Sequence, residues 1–254
     1  LIEPWTRKTG TGRPYQVFTP FGRAARAALE PLDPPIPAPD RLNAPSTLPP
    51  YDALADWTLL PTKPDWAGGL RAAWTPGEAG AHDRLKAFVA GPVERYGDQR
   101  DLPAVDGTSM LSPHLRWGEL SPRQVWTAAA AKPGSDKFLT ELLWREFARN
   151  LLFHFPDLPH APLRGDFAAF PWREDEAGLD AWRYGRTGYP IVDAGMRELY
   201  ATGWMHNRVR MLVGSFLIKH QLLHWRHGED WFWDTLGDAD IATNSASWQW
   251  LAGC

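Results

Sequence analysis

Four stretches of the sequence combine polar, charged and aromatic side chains at a spacing that could bind a ligand. In the first, TGWMHNRVRM at 202–211, a helix would place Asn207 and Met211 one turn apart, with Trp204 and Arg208 beside them. A surface that combines an amide, a thioether, an indole and a guanidinium group could bind a flat polar ligand. The alternative is an amphipathic helix with its arginines in water and its methionines in the core, and spacing alone favours this packing interpretation.

A second stretch, DGTSMLSPHLRWGELSPRQVW at 106–126, concentrates hydroxyl groups. Hydroxyls and free backbone N–H groups at a junction between a loop and a helix can bind a phosphate. The alternative is that these residues cap two helices that begin near 109 and 121, and residue types alone favour capping. The hydroxyl residues are Thr108, Ser109, Ser112 and Ser121.

The third stretch, ELLWREFARNLL at 141–152, places Glu141, Trp144 and Arg145 on one helical face. An acid beside a tryptophan could form a hydrogen bond with a planar ligand while the indole stacks on it. An ion pair between Glu141 and Arg145, four residues apart on a solvated face, is an equally good interpretation.

In the fourth stretch, LGDADIATNSASWQW at 236–250, Asp238 and Asp240 precede Asn244. Two carboxylates suggest Mg²⁺ or Ca²⁺, but the remaining ligands of a calcium loop are missing. These oxygens could instead accept hydrogen bonds from a ribose or a heterocycle. Three histidines at 220, 224 and 227 have zinc-like spacing but lack the internal Glu of an H-E-x-x-H motif, so no metal site is predicted.

Helices are expected to position these stretches. Helical spacing and capping residues predict helices near the end of 1–30, within 76–97, and at 121–131, 135–154, 176–183, 190–201, 204–224 and 228–236. Strand patterns are nearly absent, and the proline-dense residues 31–66 fit an extended linker. We therefore predict an all-α fold with two regions. Residues 1–66 would be an N-terminal helical segment with the linker, and residues 67–254 a helical domain that is truncated at its C-terminus.

Composition limits the functional classes. The chain has 254 residues, of which 44% are hydrophobic and 22% charged, as in an ordinary globular protein, and it has no apolar run long enough to span a membrane. Its net charge of −3 argues against coating nucleic acid by charge alone, although a local basic face is compatible with it. The single cysteine, Cys254, excludes an intramolecular disulfide and fits a reducing compartment. We expect a cytoplasmic monomer.

Together these stretches resemble the flavin-binding helical domain of the DNA photolyase and cryptochrome family. The similarity covers almost the whole chain except the proline-rich linker, and motifs of this length are highly specific. The N-terminal α/β antenna domain of the family has no counterpart in this chain, so the sequence does not identify an antenna chromophore. The matching segments are GRPYQVFTPF (12–21), RYGDQRDLPAVDGTSMLSPHLRWGELSPRQV (95–125), ELLWREFARNLL (141–152), GRTGYPIVDAGMRELYATGWMHNRVRM (185–211) and DWFWDTLGDADIATNSASWQW (230–250).

The resemblance implies that FAD binds in a U-shaped pocket, with its reduced form active. By similarity, Tyr96 and the loop 108–112 hold the diphosphate. Asp238 and Asp240 would lie against the ribityl chain and the isoalloxazine edge, and Asn244 would face flavin N5. The full implied set of cofactor-binding residues is Tyr96, Thr108, Ser109, Met110, Leu111, Ser112, Glu141, Trp144, Arg145, Asn207, Arg210, Asp238, Asp240 and Asn244.

The resemblance also implies the substrate. Members that act on (6-4) photoproducts carry histidine where this chain has Asn207 and Met211, so these residues match the class I photolyases that repair cyclobutane pyrimidine dimers. Trp144 and Trp250 match the aromatic walls expected to clamp two flipped pyrimidines, because extruded bases gain from stacking. The implied catalytic residues are Glu141, Trp144, Asn207, Met211 and Trp250, and the implied DNA contacts are Arg100 and Arg208.

The implied activity is that of a deoxyribodipyrimidine photo-lyase, a carbon–carbon lyase whose partner is UV-damaged DNA. Photoexcited reduced FAD would donate an electron to a flipped-out dimer, the cyclobutane ring would split, and the electron would return. Glu141 would stabilise the charge that develops on the dimer. The alternative is a cryptochrome-type blue-light photoreceptor with the same flavin pocket and no repair activity.

The resemblance selects Trp248, Trp225 and Trp172 as an electron-transfer chain from the flavin to the surface. We expect Trp248 to be buried, Trp225 to be intermediate and Trp172 to be exposed. In a chain with 15 tryptophans, simple core packing is the strong alternative.

The chain departs from the family after Asn244. The family usually continues with Asn-Gly-Gly, whereas this chain has Ser245, Ala246 and Ser247. We expect this change to alter the loop next to the flavin without excluding binding.

Overall fold

Twelve α-helices make up almost all the regular structure of the computed structural model, which describes residues 1–60 and 62–254. Within those residues the only β pairing is an isolated bridge between Arg173 and Leu223, so the predicted all-α fold is confirmed. None of the described helices is both long and apolar enough to cross a membrane. The helices are α1 (Phe18–Ala28), α2 (Gly68–Ala73), α3 (Glu78–Val89), α4 (Tyr96–Gln99), α5 (Ser112–Trp117), α6 (Pro122–Ala130), α7 (Asp136–His154), α8 (Glu176–Arg183), α9 (Pro190–Thr202), α10 (Asn207–Ser215), α11 (Trp225–Thr235) and α12 (Ile241–Ala252).

The longest helix, α7, forms the centre of a first apolar core. It buries Phe138, Leu142, Phe147 and Leu151, and it packs on α1, α6 and α12. Removing this much apolar surface from water is the main favourable contribution to the packing. It also fixes the rotation of α7 about its own axis, and with it the direction of the polar side chains on the remaining face.

Helices α8 to α12 enclose a second apolar core, which includes Trp182, Met196, Leu217 and Trp248. Helix α12 contacts both cores, because Ala246 packs against the first and Trp248 lies in the second. Since it packs on α7, α10 and α11, α12 joins the two halves of the helical bundle. A side chain on α12 is therefore positioned by both cores.

The N-terminal helix α1 belongs to the first core. Phe21, Ala25 and Leu29 are buried there, and Arg26 forms an ion pair with Asp136 of α7 at 3.0 Å. Residues 31–60 and 62–66 contain no buried residue and, apart from the 3-10 turn Leu54–Trp57, no helix or strand. The buried residues of α1 thus pack into the helical bundle, and the predicted division of the chain after residue 66 stays a prediction.

The helix predicted at 204–224 is shorter in the structure, because it begins at Asn207 as α10 and ends at His220 after a π-helical turn. The side chain of His206 accepts a hydrogen bond from the backbone N–H of Arg208 at 3.2 Å, and α10 begins there. His224 caps α11 in the same way through Arg226. Between the two helices the chain forms a π-helical turn, Phe216–His220. The three histidines with zinc-like spacing therefore lie on different elements rather than on one helical face.

The packing of α1 on α7 yields a stability prediction. Phe21 is 1% exposed, and its ring centroid lies 5.3 Å from that of Phe147. Phe21→Ala should lower the free energy of unfolding by about 3–5 kcal/mol, because it opens a cavity between the helices. Ile36→Ala, at a linker position that is 96% exposed, should change it by less than about 0.5 kcal/mol. Urea unfolding followed by tryptophan fluorescence measures both, and equal effects would show that α1 contributes nothing to the first core.

Candidate functional site

The candidate site lies where α7, α10 and the segment 236–240, which leads into α12, approach one another. Asp238 of this segment contacts α10, and Asp240 contacts α7. Arg116 at the end of α5 donates to the backbone carbonyl of Ala239 between them. Three helices distant in sequence are thereby connected through three consecutive residues.

Asp238 is fixed by Arg210. The two terminal nitrogens of the guanidinium lie 3.1 and 2.8 Å from the two carboxylate oxygens, a bidentate geometry that restricts both side chains. Arg210 Nε also donates to the carbonyl of Met205 at 2.7 Å. The side chain of Asp238 is only 4% exposed, so this ion pair is a structural part of the site.

Asp240 is the N-cap of α12. Its Oδ1 accepts hydrogen bonds from the backbone N–H and the hydroxyl of Thr243, at 3.0 and 3.1 Å, and its Oδ2 accepts from Arg149 Nη2 at 2.8 Å. The carboxylate that caps the helix therefore also anchors it to α7. Four residues later on α12, the amide of Asn244 donates to the backbone carbonyl of Glu229 at 2.9 Å.

Glu141 and Arg145 do not form the ion pair that their spacing allows. Arg145 Nη1 donates to Glu146 at 3.0 Å. The pKa of Arg145 is lowered, first by burial and then by the charge of Arg149. Glu141 instead pairs with Arg100 and lies 3.8 Å from Lys137 Nζ. The surface ion-pair interpretation is wrong because the packing of α7 turns Arg145 toward the core.

A charged strip connects α4, α7 and α10. It consists of Lys137, Glu141, Arg100, Asp101 and Arg208. Arg208 Nη2 lies 2.7 Å from Asp101 Oδ2, and Arg100 Nε lies 3.4 Å from the other oxygen of the same carboxylate. The strip thus brings the predicted DNA contacts Arg100 and Arg208 together with the predicted catalytic residue Glu141. Asp101 was not predicted, and its only sequence signal is its position directly after Arg100.

Two neighbours extend the strip. Arg208 Nη1 lies 3.4 Å from the sulfur of Met211, so the first stretch does place an arginine on a methionine. The guanidinium of Arg100 lies 5.6 Å from the ring centroid of Tyr96. Burial, reinforced by the charge of Glu141, raises the pKa of Tyr96 to about 12. Asn207 is exposed at the first turn of α10.

The two predicted aromatic walls are accessible from solvent. Trp144 is 39% exposed and Trp250 is 61% exposed. The indole of Trp144 stacks on Phe18, with ring centroids 3.7 Å apart and planes 7° from parallel. Phe18 was not predicted as a site residue, yet it covers one side of the indole and fixes its plane.

The hydroxyl loop 108–112 offers groups for a ligand. Leu111 is buried, Met110 has a positive φ of 49°, and α5 begins at Ser112 without a side-chain cap. Within the described residues the hydroxyls of Thr108 and Ser112 make no hydrogen bond, and Ser109 accepts only a long one, 3.4 Å from the N–H of Leu111. Capping explains Ser121, which forms a full capping box on α6, but it does not explain the loop.

A cavity of about 270 Å³ lies beside this loop. Thr108, Met110, Trp204 and His206 line it together with Trp74 and Glu198. Burial lowers the pKa of His206, which favours the neutral imidazole. This volume is below that of a typical pocket for a drug-sized ligand, so it would receive only part of a dinucleotide.

Two buried polar atoms near the site lack a hydrogen-bond partner among the described residues, His206 Nε2 and Arg149 Nη1, the latter 4.0 Å from Glu146 Oε1. Buried polar groups are normally paired, so unpaired ones point to a missing ligand or water. Together with the free hydroxyls of the loop, they form a set of donors and acceptors suited to phosphate and ring heteroatoms. The residues present therefore fit the predicted FAD.

The three predicted electron-transfer tryptophans lie in or against the second core. Trp248 is 1% exposed and Trp225 is 2% exposed, whereas Trp172 is half-buried. Trp225 is thus as buried as Trp248 rather than intermediate, and Trp172 is intermediate rather than exposed. His224 lies between Trp172 and Trp225, and its ring centroid is 5.1 Å from that of Trp172 and 5.4 Å from that of Trp225. Trp248 itself contacts Trp182 and Phe232.

The departure after Asn244 does not alter a loop, because residues 245–247 lie inside α12. Serine and alanine favour helix more than glycine does. Ser245 is fully buried, and its hydroxyl donates to Glu229 of α11. Burial raises the pKa of Glu229 to about 7, although the hydrogen bond from Ser245 acts in the opposite direction. The substitution therefore provides a partner for a buried acid next to Asn244.

Comparison with known proteins gives the family context. Residues 138–254 match the family described as the FAD binding domain of DNA photolyase. Over its whole length the chain is 52% identical to a deoxyribodipyrimidine photo-lyase of Agrobacterium fabrum and 38% identical to cryptochrome-1 of Arabidopsis thaliana, covering 54% and 39% of those proteins. The chain thus spans about half the length of the curated photo-lyases that it matches.

A solved structure does not support the specific class that the sequence indicated. The chain resembles the crystal structure of a bacterial class III photolyase from Agrobacterium tumefaciens with a TM-score of 0.91 and 51% identity, covering 99% of this chain and 53% of that one. The class I placement is not supported. It rested on Asn207 and Met211, whose link to the substrate stays a prediction, whereas similarity over the whole chain relates it to a class III protein.

The buried acid yields a prediction for stability against pH. The pKa of Glu229 rises from 4.5 to about 7 on folding, so the unfolded chain loses this proton at lower pH than the folded one does. The contribution of Glu229 to the free energy of unfolding is fully present below its unfolded pKa. It is lost as the pH rises through the folded pKa, and this loss is on the order of 3 kcal/mol.

Glu229→Gln keeps an acceptor for Ser245 and should flatten this dependence between about pH 5 and pH 8. Urea midpoints across that range measure it, with Glu176→Gln, at an exposed position of α8, as the control. A pH dependence that is the same in both variants and in the unmodified protein would contradict the assignment.

Proposed function

The chain belongs to the DNA photolyase family through its FAD-binding domain, and we propose that it is the catalytic portion of a deoxyribodipyrimidine photo-lyase that repairs cyclobutane pyrimidine dimers in DNA. The observation that carries this proposal is the charged strip beside Trp144. It joins Glu141, Arg100 and Arg208 in one network of contacts. Phosphate-binding groups, an acid and an exposed indole are what an extruded dimer requires.

The arginines of the strip and the neighbouring tryptophans would bind different parts of the DNA. Arg100 and Arg208 carry the positive charge that contacts phosphates, and such contacts supply most of the affinity for any DNA. Trp144 offers an open aromatic surface whose plane is already fixed by Phe18, so stacking of an extruded base costs little ordering of the side chain. Trp250 would provide the second wall.

Glu141 would act on the lesion itself. Its carboxylate is partly exposed and lies between Arg100 and Lys137, so it can accept a hydrogen bond from a base edge at modest desolvation cost. Fixed polar groups aimed at developing charge are an efficient form of catalytic stabilisation.

FAD would be held by residues of the candidate site. Thr108, Ser109 and Ser112 would donate to its diphosphate, and the segment with Asp238 and Asp240 would contact its ribityl chain and ring edge. When bound and reduced, FAD supplies the light absorption and the electron that splits the dimer. The protein's own residues orient both partners and exclude water.

We further infer a class III affiliation from the similarity to the Agrobacterium structure. UV-damaged DNA is the proposed partner. The monomeric state and the cytoplasmic location expected from the sequence stay predictions.

The function is tested by mixing the FAD-loaded, chemically reduced protein with an oligonucleotide that carries one cyclobutane thymine dimer. Blue light should restore the undamaged thymines, measured by chromatography, and a dark sample should not. In the dark, the dimer duplex should bind more tightly than the undamaged one, because a distorted lesion has already lost some of its stacking energy. Equal affinity for both and no repair would contradict the proposal, and a photoactive flavin without repair would indicate a photoreceptor.

The tryptophan chain is tested separately. Trp172→Phe should slow photoreduction of bound oxidised FAD, because Trp172 is the partly exposed end of the aromatic contacts that continue through His224 to Trp225. Flavin content and repair by pre-reduced protein should stay near those of the unmodified protein. Absorbance during blue illumination gives the rate.

Trp233→Phe is the matched control, since this tryptophan of α11 is 48% exposed. The chain assignment fails if Trp172→Phe and Trp225→Phe both photoreduce at the rate of the Trp233→Phe control.

A further inference from the structure

Asp101 lies between the two arginines assigned to DNA. It directly follows Arg100 in the chain and reaches Arg208 of α10 across the candidate site. Its carboxylate oxygens lie 2.7 Å from Arg208 and 3.4 Å from Arg100, and the structure gives it no other side-chain partner among the described residues. An acid in this position occupies the donors that a phosphate would use.

The geometry points to Asp101 as an internal competitor of DNA phosphate: it holds Arg100 and Arg208 until a phosphate displaces it. This inference rests on the proposed function, because it assumes that the two arginines contact DNA. It adds a residue that weakens binding to every DNA, whereas the other residues of the site strengthen it.

The exposure of the strip makes such displacement possible. The side chain of Asp101 is 47% exposed and that of Arg208 is 37% exposed. Arg100 is only 12% exposed and also pairs with Glu141, so a phosphate displaces Asp101 mainly from Arg208. An ion pair this accessible to water changes an equilibrium constant by only a few-fold, so a phosphate can replace the carboxylate. A deeply buried pair would instead hold the arginines permanently, since breaking it leaves an unpaired charge without solvent.

The electrostatic balance supports the same role. Desolvation alone would raise the pKa of Asp101, but the hydrogen bonds and charges of Arg208 and Arg100 outweigh it and lower the pKa. Pairing with the two arginines therefore favours the ionised form of the carboxylate. The strip holds three positive and two negative side chains, Lys137, Arg100, Arg208, Glu141 and Asp101, so loss of one acid raises its net charge from +1 to +2.

Competition by Asp101 would lower the affinity of the protein for undamaged DNA. Binding to undamaged DNA depends almost entirely on phosphate contacts, so a competitor for phosphate keeps that affinity low. A lesion complex also gains from stacking on Trp144 and from contacts with the extruded bases, and it can tolerate the same cost. Asp101 would thus limit the time that the protein spends on intact DNA.

The test compares Asp101→Asn with Asp98→Asn in the FAD-loaded protein. Asp98 lies on α4, is exposed and forms no ion pair with any described residue, so its removal changes net charge equally without freeing an arginine. Binding is measured in the dark by fluorescence anisotropy, with labelled duplexes that carry one thymine dimer or none. Salt is varied in each titration, and flavin absorbance checks that each variant retains its cofactor.

Asp101→Asn should bind the undamaged duplex about 2- to 5-fold more tightly than Asp98→Asn does. The slope of log K against log salt should be steeper by about one unit, because one more phosphate is neutralised without a competing carboxylate. Asp101→Glu, which keeps the charge, should restore both values toward those of the unmodified protein.

Matching affinities and salt slopes for Asp101→Asn and Asp98→Asn would overturn the inference while leaving the proposed function intact. Failure of the unmodified protein to prefer the dimer duplex would instead count against the proposed function itself.

Discussion

Two ion pairs hold the candidate site together, because they fix the segment 238–240 between α7 and α10. Asp238 takes both terminal nitrogens of Arg210, and Asp240 takes Arg149 while it caps α12. A poorly solvated charge is costly unless it is paired, so each carboxylate constrains the guanidinium that neutralises it. The direction of α12 depends on these contacts, and so do the positions of the side chains that this helix carries.

On the same helices, apolar packing sets the orientation of the helix, and that orientation determines which polar contacts its side chains can make. On α7, the burial of Phe138, Leu142 and Phe147 supplies the favourable free energy and sets the rotation of the helix. That rotation directs Arg145 toward the core and leaves Glu141 and the indole of the same helix accessible. A polar side chain could not select this orientation by itself, because an exposed ion pair contributes at most about 1 kcal/mol.

Charge in this protein is organised locally. A net charge of −3 conceals a strip with excess positive charge on the surface and a protonatable acid in the interior. Glu229 is buried between α11 and α12, where a hydroxyl from Ser245 partly compensates for lost water. Asn244 contacts the backbone of the same glutamate, so the acid and the amide expected to face the flavin form one hydrogen-bonded unit.

The sequence by itself determined the helical class and the residue types of the site. Apolar spacing reports helices directly, and long motifs restrict many positions at once, so the family resemblance identified residues from several distant segments. It did not determine where α10 and α11 begin, because capping by an imidazole follows no simple spacing rule.

Tertiary structure alone decided which charges pair. By spacing, Glu141 could equally well have paired with Arg145, yet it pairs with Arg100, which is 41 residues earlier. Asp101 and Ser245 likewise gained their partners from other helices. The physical reason is that an ionic contact depends on the distance between side chains in space. That distance is set by which apolar faces of the helices are buried against each other.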